Sequence, residues 1–481
     1  MLSDAQGRRF RGVLSRRSFI ELGLQGLLSA SLAAGCGKRR ALLERKPNIV
    51  LITLDTTRAD HLSSYGYTRP ASRNLDALAG ESLVYTSAVS PSSWTLPAHA
   101  SLFTGKFTSS HGARKDPEGP LILSDAIKGP ESWNQHRARG LSTTAITLAQ
   151  LLKGAGYATG GVVAGPWMMK VFGLHQGFDY YDDDEISSLN GRIAPRVTAR
   201  AIEWIEEHQD RPFFLFLNYF DPHTPYDPPP NESTRRFLRA NTELDELVAR
   251  IATVPEEAVP DEDRWNLINA LYDAEIHYMD RFIGILLDKL RRLRLYDKTW
   301  LVVTSDHGEL LGEHGEEGHG SDLYQEELHI PFFTKYPKGE VSPDATDLRI
   351  QLTDVMPMIL ERLDLPCPPD IQGAAPNVGH PVIAEVYPLP ALSPKGDSQA
   401  IFDGSLKFVL KTKGSNRLFD LGKDPHESTN LVEEHPNVAE AMRSKLITYL
   451  ASLPKPEAAR PQSSKTIDEE TQEKLERLGY L

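Results

Sequence analysis

The sequence predicts an α/β protein with a mainly parallel sheet flanked by helices, followed by a small C-terminal α+β subdomain. Three unbroken apolar runs, at 48–54, 213–220 and 299–305, are typical of parallel strands buried on both faces. Helical patterns lie between these runs, and strands that alternate with helices form a parallel sheet with helices on both sides. After residue 365 the pattern changes to short strand candidates and one helix, which indicates the second, smaller unit.

The composition is that of a globular protein. Hydrophobic residues make up 40% of the 481 residues and charged residues 25%, which argues against disordered, collagen-like and multi-span membrane classes. The length allows one large domain and a smaller one. The net charge is −13 and the basic residues concentrate mainly at the N-terminus, so we expect no nucleic-acid partner.

The N-terminus carries the features of an export signal. Arg16 and Arg17 are followed by Phe19 and by a mildly apolar stretch that is too short and too weakly apolar to span a bilayer stably. This pattern is similar to a twin-arginine signal, which implies export of an already folded protein. The alternative interpretation is an amphipathic helix that belongs to the folded domain.

A lipid anchor is expected at Cys36. The residues before it resemble a lipobox, in which the chain is cleaved in front of the cysteine and the cysteine is lipidated, although Ala33 stands where the pattern prefers Leu. We therefore predict a signal peptide at 1–36, a basic tether at 37–46 and an exported bacterial protein, either periplasmic or anchored to the membrane as a lipoprotein. Cys367, the other cysteine, is expected to be a buried structural thiol.

Residues 47–365 are predicted to form the main, catalytic domain. Its three apolar runs end at Asp55, at Asp221 and at Asp306 with His307. In parallel sheets the polar groups that bind ligands gather beyond the carboxyl ends of the strands. The residues at these three strand ends are therefore expected to lie near one site.

The remaining elements follow from periodicity and from Pro and Gly content. Amphipathic patterns predict helices at 144–156 and 264–292. A linker rich in Pro and Gly is predicted at 366–381, and a small C-terminal subdomain at 382–455. The subdomain is expected to contain short strands and one helix, at 382–387, 399–404, 407–412, 417–421 and about 436–452. A charged amphipathic tail at 456–481 is expected to pack back through Leu475, Leu478 and Tyr480.

The segment SSWTLPAHASLFTGK at 92–106 carries a motif. It resembles the signature of sulfatases, in which a Cys or Ser that becomes formylglycine is followed at the second position by Pro, at the fourth by Arg, and at the ninth and tenth by Thr-Gly. Thr95 stands at the nucleophile position and His99 at the Arg position, while Pro97 and Thr104–Gly105 are in register. The other hydroxyl groups of the segment are expected to serve turns and helix capping, at Ser92, Ser93 and Ser101.

Further segments resemble the same family in the right order along the chain. They are NIVLITLDTTRADHLSSYG, FLNYFDPHTPYDPP, TSDHGELLGEHG, EEGHGSDLYQEELHIPFF and RLFDLGKDPHESTNL. The chain is therefore identified as a member of the alkaline-phosphatase-like superfamily and of its sulfatase branch, which implies an α/β fold of that type and hydrolysis of ester bonds. The family's second aspartate on the first strand is Thr56 here, and His319 and His329 stand where many relatives place Lys and Arg.

The resemblance implies a metal site. Asp55, Asp306 and His307 are expected to hold one divalent cation that also binds the Thr95 hydroxyl, lowering its pKa and making it a nucleophile near neutral pH. Nitrogen and oxygen ligands suit Zn or Mn, while the family suggests Ca or Mg, so the metal is left open. A second metal would need further ligands, and the obvious suppliers are Asp221, His223 and His319.

The resemblance also implies roles for other polar residues. His223 and His319 are expected to protonate the leaving oxygen and to hold the anionic group, and His99 is a further catalytic candidate. Arg58 either adds positive charge or locks the loop after Asp55. A run of polar residues is expected to be mainly a solvated loop, with orientation of the site residues as the alternative, at Glu309, Glu313, His314, Glu316 and Glu317.

Threonine at position 95 separates this chain from the usual mechanism of the family. Thr95 cannot become formylglycine, so no formylglycine is expected and the release of sulfate by elimination is blocked. A phosphothreonine can be both formed and broken by in-line attack at phosphorus, which favours a phosphodiester or phosphonate ester as substrate. The alternatives are a sulfate-ester hydrolase, a phosphoryl transferase and an inactive homologue that binds glycans. The substrate is expected to be a small sulfated or phosphorylated molecule, with a glycan or a lipid headgroup as candidates.

Overall fold

A computed structural model of the chain describes residues 46–123, 135–186, 190–239, 246–248, 260–376 and 378–456. The signal peptide, nearly all of the tether and the packing of the C-terminal tail, as predicted above, lie outside these residues. In the part of the chain that is described, no helix combines the length and apolar character that crossing a bilayer requires.

The strands form one large sheet and three smaller ones. In chain order they are β1 (Asn48–Leu54), β2 (Leu83–Val89), β3 (Arg114–Lys115), β4 (Leu121–Ile122), β5 (Arg137–Arg139), β6 (Ala158–Val162), β7 (Tyr180–Asp182), β8 (Phe213–Tyr219), β9 (Thr299–Thr304), β10 (Leu310–Leu311), β11 (Glu317–Gly318), β12 (Phe332–Lys335), β13 (Asp344–Gln351), β14 (Val382–Val386), β15 (Ser398–Asp403), β16 (Leu406–Lys411) and β17 (Arg417–Asp420). The large sheet has the order β13-β2-β12-β9-β1-β8-β6-β7. Every neighbouring pair in it is parallel except the two pairs made by β12.

Helices cover both faces of the large sheet. Those of the described residues are α1 (Arg73–Ala79), α2 (Thr95–Thr104), α3 (Thr108–His111), α4 (Leu148–Gly154), α5 (Ala194–His208), α6 (Glu232–Arg239), α7 (Asp261–Arg292), α8 (Gln325–Leu328), α9 (Val355–Arg362) and α10 (Pro436–Ser452). Side chains of buried strands alternate between the two faces. In β1, Ile49 and Leu51 pack into a core with α2, α4 and α9, while Val50 and Ile52 pack into a second core with α1, α5 and α7. The prediction of a mainly parallel sheet flanked by helices is confirmed.

Two helix starts differ from the periodicity for identifiable reasons. The helix predicted at 144–156 begins only at Leu148, because Thr147 caps it. The Thr147 hydroxyl accepts from the Gln150 N–H at 3.2 Å, and the Gln150 side chain accepts from the Thr147 N–H at 2.9 Å. Helix α7 begins at Asp261, three residues before the start predicted from its apolar stripe. Its first turn is acidic, and acidic side chains stabilise the N-terminus of a helix, where the helix dipole is positive.

The C-terminal part contains the small antiparallel sheet that the sequence predicts, with the order β14-β15-β16-β17, and α10 packs on one of its faces. The stretch before it has neither helix nor strand over 366–376, and Gln372 binds the backbone of Gly105 and Phe107 beyond the end of α2. The expectation of a buried thiol at Cys367 is wrong. Cys367 is exposed, because it lies in a Pro-rich loop that runs over the surface.

Candidate active site

Asp55 and Asp306 follow neighbouring parallel strands and therefore meet at one edge of the sheet. β1 and β9 are in register up to Thr53 and Thr304, so the two strands end side by side. His307 completes the group: one ligand atom from each of the three residues lies within 4.8 Å of the others. All three residues are fully buried.

The two carboxylates of this cluster are short of hydrogen-bond donors. Among the described residues, none donates to Oδ1 of Asp55 or to Oδ2 of Asp306. Burial raises the pKa of Asp55, and the neighbouring Asp306 carboxylate raises it further; burial also raises the pKa of Asp306 to about 6. Two buried, unpaired carboxylates are costly unless a cation neutralises them. The donor set and the two unpartnered oxygens therefore fit a divalent metal ion.

His307 is oriented as a metal ligand. Its Nδ1 donates to the Gly308 carbonyl at 2.8 Å, which leaves the lone pair of Nε2 facing the cluster, 3.4 Å from Oδ2 of Asp306. Burial lowers the pKa of His307, and His319 lowers it further. The imidazole is therefore neutral and able to bind a cation.

Thr56 stands in place of the second aspartate without joining the cluster. Its N–H donates to Oδ1 of Asp306 at 3.2 Å, while its hydroxyl donates to the Pro222 carbonyl at 3.0 Å. Its backbone has φ of 51°, which is unfavourable for a β-branched residue. The cluster therefore has one aspartate from the end of β1, and the N–H of Thr56 holds Asp306 in place.

Thr95 is the first residue of α2 and lies against the cluster. It is 1% exposed, and its Oγ1 is 3.3 Å from Nε2 of His307. None of the other hydroxyl groups of the motif caps the helix, because Trp94 occupies the N-cap position without a side-chain bond. Ser93 instead donates to the Asp322 carbonyl at 2.6 Å, and Ser101 contacts His111 Nε2 at 3.0 Å.

His99 lies behind Thr95 in the protein interior. Its Nδ1 donates to the Thr95 carbonyl at 2.9 Å and lies 3.6 Å from Oδ2 of Asp306, and its Nε2 is 3.0 Å from Oγ1 of Thr53. The ring is fully buried, and burial lowers the pKa of His99. Both ring nitrogens are committed to the protein, which favours a positioning role over direct contact with substrate.

His223 and His319 form the wall beside the cluster. The His319 ring lies 4.4 Å from that of His307 and 5.0 Å from that of His223, centroid to centroid. Nδ1 of His223 donates to the Thr224 carbonyl at 2.6 Å, and Nδ1 of His319 donates to Oε1 of Glu309 at 2.7 Å. In both rings Nε2 is the nitrogen left for a ligand.

Lys115 was not recognised as a site residue from the sequence, and a supporting role at the site was only the alternative prediction for Glu309. Glu309 is fully buried against His319, so the expectation of a solvated loop is wrong at this position. Lys115 donates to the Gly320 carbonyl at 3.1 Å and lies 4.8 Å from the Trp94 ring centroid. Burial lowers the pKa of Lys115 to about 8. A partly charged amine thus lies next to the segment that carries Thr95.

Arg58 is occupied by other protein groups. Its guanidinium donates to both oxygens of Asp60, at 2.9 and 2.7 Å, and to Oε1 of Glu313 at 2.6 Å. It also donates to the Glu309 carbonyl at 3.1 Å. These contacts connect the loop after Asp55 to the loop after His307, which favours the locking role over the addition of charge to the substrate site.

Asp221 ends its strand as predicted but lies outside the metal cluster. Its Oδ1 accepts from the Ala194 N–H at 3.0 Å, and burial raises the pKa of Asp221 to about 7. Glu275 of α7 is 5% exposed; burial and then the charge of Asp221 raise the pKa of Glu275 to about 9. The two acids therefore form a separate group in which, at neutral pH, Glu275 is protonated and Asp221 is about half protonated.

Replacing Glu275 by Gln is expected to change the pH dependence of stability. The carboxyl group keeps its proton up to about pH 9 in the folded state but only up to about 4.5 when unfolded, so the free energy of unfolding falls as pH rises between these values. Glu275→Gln should flatten this slope and stabilise the protein at pH 8.5 by at least about 1 kcal/mol. Urea denaturation at pH 6 and 8.5 measures the free energy of unfolding and hence its change with pH. Equal slopes in Glu275→Gln and in the exposed control Glu207→Gln would contradict the expectation.

Gly308 is expected to tolerate no side chain. A Cβ there would lie 2.0 Å from the Glu326 carbonyl oxygen and 3.1 Å from Cγ of Arg58. Gly308→Ala should therefore destabilise the protein by about 1–3 kcal/mol and displace His307, with a loss of activity of about 10²-fold. In Gly154→Ala, the matched control, the added Cβ has no atom within 4 Å. Urea denaturation that shows no difference between the two variants would contradict this packing.

Most of the chain matches the model of a known protein family. Residues 47–365 match the family model described as Sulfatase. The uncharacterised sulfatase YidJ of Escherichia coli (strain K12) is 24% identical over 467 residues, which cover 86% of this chain and 88% of the relative.

Solved structures share the fold. BT4656, solved in complex with its substrate D-glucosamine-2-N,6-O-disulfate, superposes with a TM-score of 0.70 at 18% identity, covering 84% of this chain and 98% of its own. A phosphonate monoester hydrolase of Agrobacterium radiobacter superposes with a TM-score of 0.65 at 20% identity, covering 84% of this chain and 96% of its own. The α/β architecture is thus common to proteins that act on sulfate and on phosphonate esters.

Proposed function

The chain belongs to the sulfatase family of ester hydrolases, and we propose that it hydrolyses an anionic ester with Thr95 as the nucleophile beside one divalent cation. One observation carries this proposal. The Thr95 hydroxyl lies 3.3 Å from Nε2 of His307, next to two buried carboxylates that each keep an unpartnered oxygen. A buried hydroxyl at such a cluster has the environment that a nucleophilic alcohol requires.

Asp55, Asp306 and His307 would hold the cation. When bound, it supplies positive charge that favours the deprotonated form of a neighbouring hydroxyl and neutralises oxygens of the substrate. The chain's own contribution is to keep the ligand atoms within 4.8 Å of one another and to exclude water from the nucleophile.

Two in-line displacements account for turnover of a phosphate or phosphonate ester. In the first, Oγ1 of Thr95 gives up its proton and attacks phosphorus, the new O–P bond forms, and the bond to the leaving oxygen breaks; this oxygen departs with its electron pair and takes a proton. In the second, water attacks the phosphorus bound to Thr95, the bond to Oγ1 breaks, and Oγ1 recovers a proton. The position of Thr95 at the N-terminus of α2 places the positive end of the helix dipole beside the substrate anion.

His223, His319 and Lys115 serve the substrate. Each imidazole has its Nδ1 tied to a protein acceptor and presents Nε2. Burial and then the charge of His319 lower the pKa of His223 to about 3, and burial and then Lys115 lower that of His319 to about 3. An arriving anion raises the proton affinity of both rings, so that one of them takes up a proton at Nε2 and then gives it to the leaving oxygen, while Lys115 pairs with the anion.

The chemistry of Thr95 favours phosphorus over sulfur. A threonine has one hydroxyl on its Cβ and no aldehyde hydrate, so it has no second hydroxyl from which to expel sulfate by elimination. A phosphothreonine is released by a second in-line attack. We therefore place phosphodiesters and phosphonate monoesters first on the chemistry of Thr95, since the fold is shared with proteins that act on either kind of ester.

Sulfate esters are the second candidate. The names of several relatives describe sulfatases, including an ulvan-active sulfatase of Formosa agariphila, and BT4656 was solved with a sulfated glucosamine. A sulfated glycan would meet the same amine and imidazoles, which are partly exposed. Its turnover would require attack at sulfur to release a sulfated Thr95.

A substrate panel separates the candidates. The purified protein is assayed with Mg²⁺, Ca²⁺, Mn²⁺ or Zn²⁺ against bis(4-nitrophenyl) phosphate, 4-nitrophenyl phenylphosphonate, 4-nitrophenyl phosphate and 4-nitrophenyl sulfate. Turnover of the diester or phosphonate above the sulfate supports phosphoryl chemistry. Faster turnover of the sulfate overturns this order, and no turnover of any ester supports a homologue that only binds glycans.

Export and lipid anchoring are proposed from the N-terminal motifs alone. Replacing Arg16 and Arg17 with lysines is expected to keep the protein in the cytoplasm, because the twin arginine is the export signal. Cys36→Ser is expected to move the protein from the membrane fraction to the soluble periplasmic fraction. Immunoblots of fractionated bacteria measure both effects, and a distribution unchanged in either variant contradicts the corresponding step.

A further inference from the structure

The side-chain amide of Asn218 lies at the centre of a buried hydrogen-bond network. Its Oδ1 accepts from the backbone N–H groups of Ala164 at 3.2 Å and Gly165 at 2.9 Å. The other amide atom is therefore the NH₂ group, because only an oxygen accepts from two N–H donors. This NH₂ group donates to Oδ2 of Asp55 at 3.2 Å and to Oγ1 of Thr53 at 3.3 Å.

The bond from Asn218 determines which oxygen of Asp55 is available to a cation. It occupies Oδ2, and Oδ1 is the atom that no described residue donates to. Since the Asn218 amide is held by two backbone groups on the adjoining loop, the carboxylate plane of Asp55 is held with it. Groups that orient metal ligands in this way contribute to metal affinity.

The same network continues to the nucleophile. Because the Thr53 hydroxyl accepts from Asn218, its own hydrogen is available for Nε2 of His99, 3.0 Å away; the Leu217 carbonyl lies farther from it, at 3.5 Å. Nδ1 of His99 then donates to the Thr95 carbonyl at 2.9 Å. The amide orientation sets the direction of the bonds from Asn218, and the Thr95 carbonyl, which can only accept, fixes the tautomer of His99 so that its Nε2 accepts from Thr53.

We propose that Asn218 is a positioning residue that aligns Asp55 directly and the backbone of Thr95 through Thr53 and His99. The proposal rests on the proposed function, since it concerns the same cation and the same nucleophile. Asn218, Thr53 and His99 are each 0% exposed. Their effect on the reaction is therefore exerted through Asp55 and Thr95 rather than by contact with substrate.

Two substitutions break the network at different points. Asn218→Ala removes the donor to Asp55 and the connection to Thr53 together. Thr53→Val keeps the shape of the side chain and the bond from Asn218 to Asp55 but interrupts the path to His99. Thr304→Val is the matched control, because Thr304 lies beside Thr53 in the sheet, is equally buried, and donates its hydroxyl hydrogen to the Ser305 carbonyl at 3.1 Å.

The test measures Mn²⁺ affinity by the paramagnetic resonance signal of free Mn²⁺, and kcat with the best ester of the panel at saturating Mn²⁺. Asn218→Ala is expected to weaken Mn²⁺ binding about 10- to 100-fold and to lower kcat. Thr53→Val is expected to bind Mn²⁺ within about threefold of the wild type while its kcat falls about tenfold. Thr304→Val is expected to match the wild type in both.

The outcomes distinguish the positioning role from the function itself. If Asn218→Ala binds Mn²⁺ as tightly as Thr304→Val, or if Thr53→Val keeps the kcat of Thr304→Val, the positioning role is overturned while the proposed function stands. If the wild type binds none of Mn²⁺, Mg²⁺, Ca²⁺ and Zn²⁺, the metal site and the positioning role are both overturned. If Asn218→Ala does not fold, the kcat of Thr53→Val alone tests the positioning role. Thr53→Val is expected to fold, because it leaves no buried backbone N–H without its acceptor.

Discussion

Replacing Thr95 with valine is expected to lower kcat/KM by about 10³- to 10⁶-fold, the range seen when a nucleophile is removed. Valine has nearly the shape of threonine, so the packing around this 1% exposed residue is retained and only the hydroxyl is lost. Mn²⁺ affinity should change far less than kcat/KM, because three protein ligands remain. Steady-state kinetics on the best ester of the panel measures the effect.

Two further variants separate the loss of the nucleophile from a packing effect. Thr95→Ser keeps a hydroxyl at the same position and is expected to retain most of the activity. Thr104→Val removes a hydroxyl from the other end of α2, where it donates to the Ala100 carbonyl at 2.6 Å, and should leave kcat/KM within about threefold. Activity in Thr95→Val equal to that of Thr104→Val would rule out Thr95 as the nucleophile.

Replacing Asp306 with asparagine is expected to abolish activity and to weaken metal binding by more than about 10²-fold, beyond the effect typical of a residue that only orients a ligand. Asp306 supplies an unpartnered oxygen to the cluster, and the amide lacks the charge that neutralises the cation. Calorimetric titration with Mn²⁺ and Zn²⁺ measures the affinity.

The wild type is expected to be the more stable protein with metal bound, and Asp306→Asn is expected to be at least as stable as the wild type when metal is removed. In chelator, Asp306→Asn should be at least as stable as the wild type, because a buried carboxylate whose charge no cation neutralises is lost. With metal at about 100 times its Kd, the wild type should gain about 2.7 kcal/mol and the variant almost nothing. A wild-type protein whose thermal unfolding is unaffected by metal would contradict the assignment of the cluster.

The strands of the fold could be predicted from the sequence where a single strand carries a clear pattern of its own. The apolar runs of β1, β8 and β9 are buried on both faces, and each strand was located within one residue. β2 and β13 are only partly buried along their length, so they lack an unbroken apolar run. The antiparallel direction of β12 depends on strands far away in the sequence and has no local signal.

The candidate site could be predicted only in part, because strand ends show which residues meet but not where their side chains point. Asp55 and Asp306 meet as expected. Asp221 also ends a strand, but its carboxylate accepts from the Ala194 N–H instead. Lys115 lies on a two-residue strand without a motif, and the importance of Asn218 follows from contacts with two distant segments.

The stereochemical course at phosphorus tests most directly whether the chain itself carries the transferred group. One enantiomer of a 4-nitrophenyl phosphorothioate diester is hydrolysed in H₂¹⁸O, and the configuration of the product is determined by phosphorus NMR. Two in-line displacements, first by Thr95 and then by water, each invert the configuration, so net retention is the expected result. Net inversion would show a single direct attack by water and would contradict a covalent intermediate on Thr95.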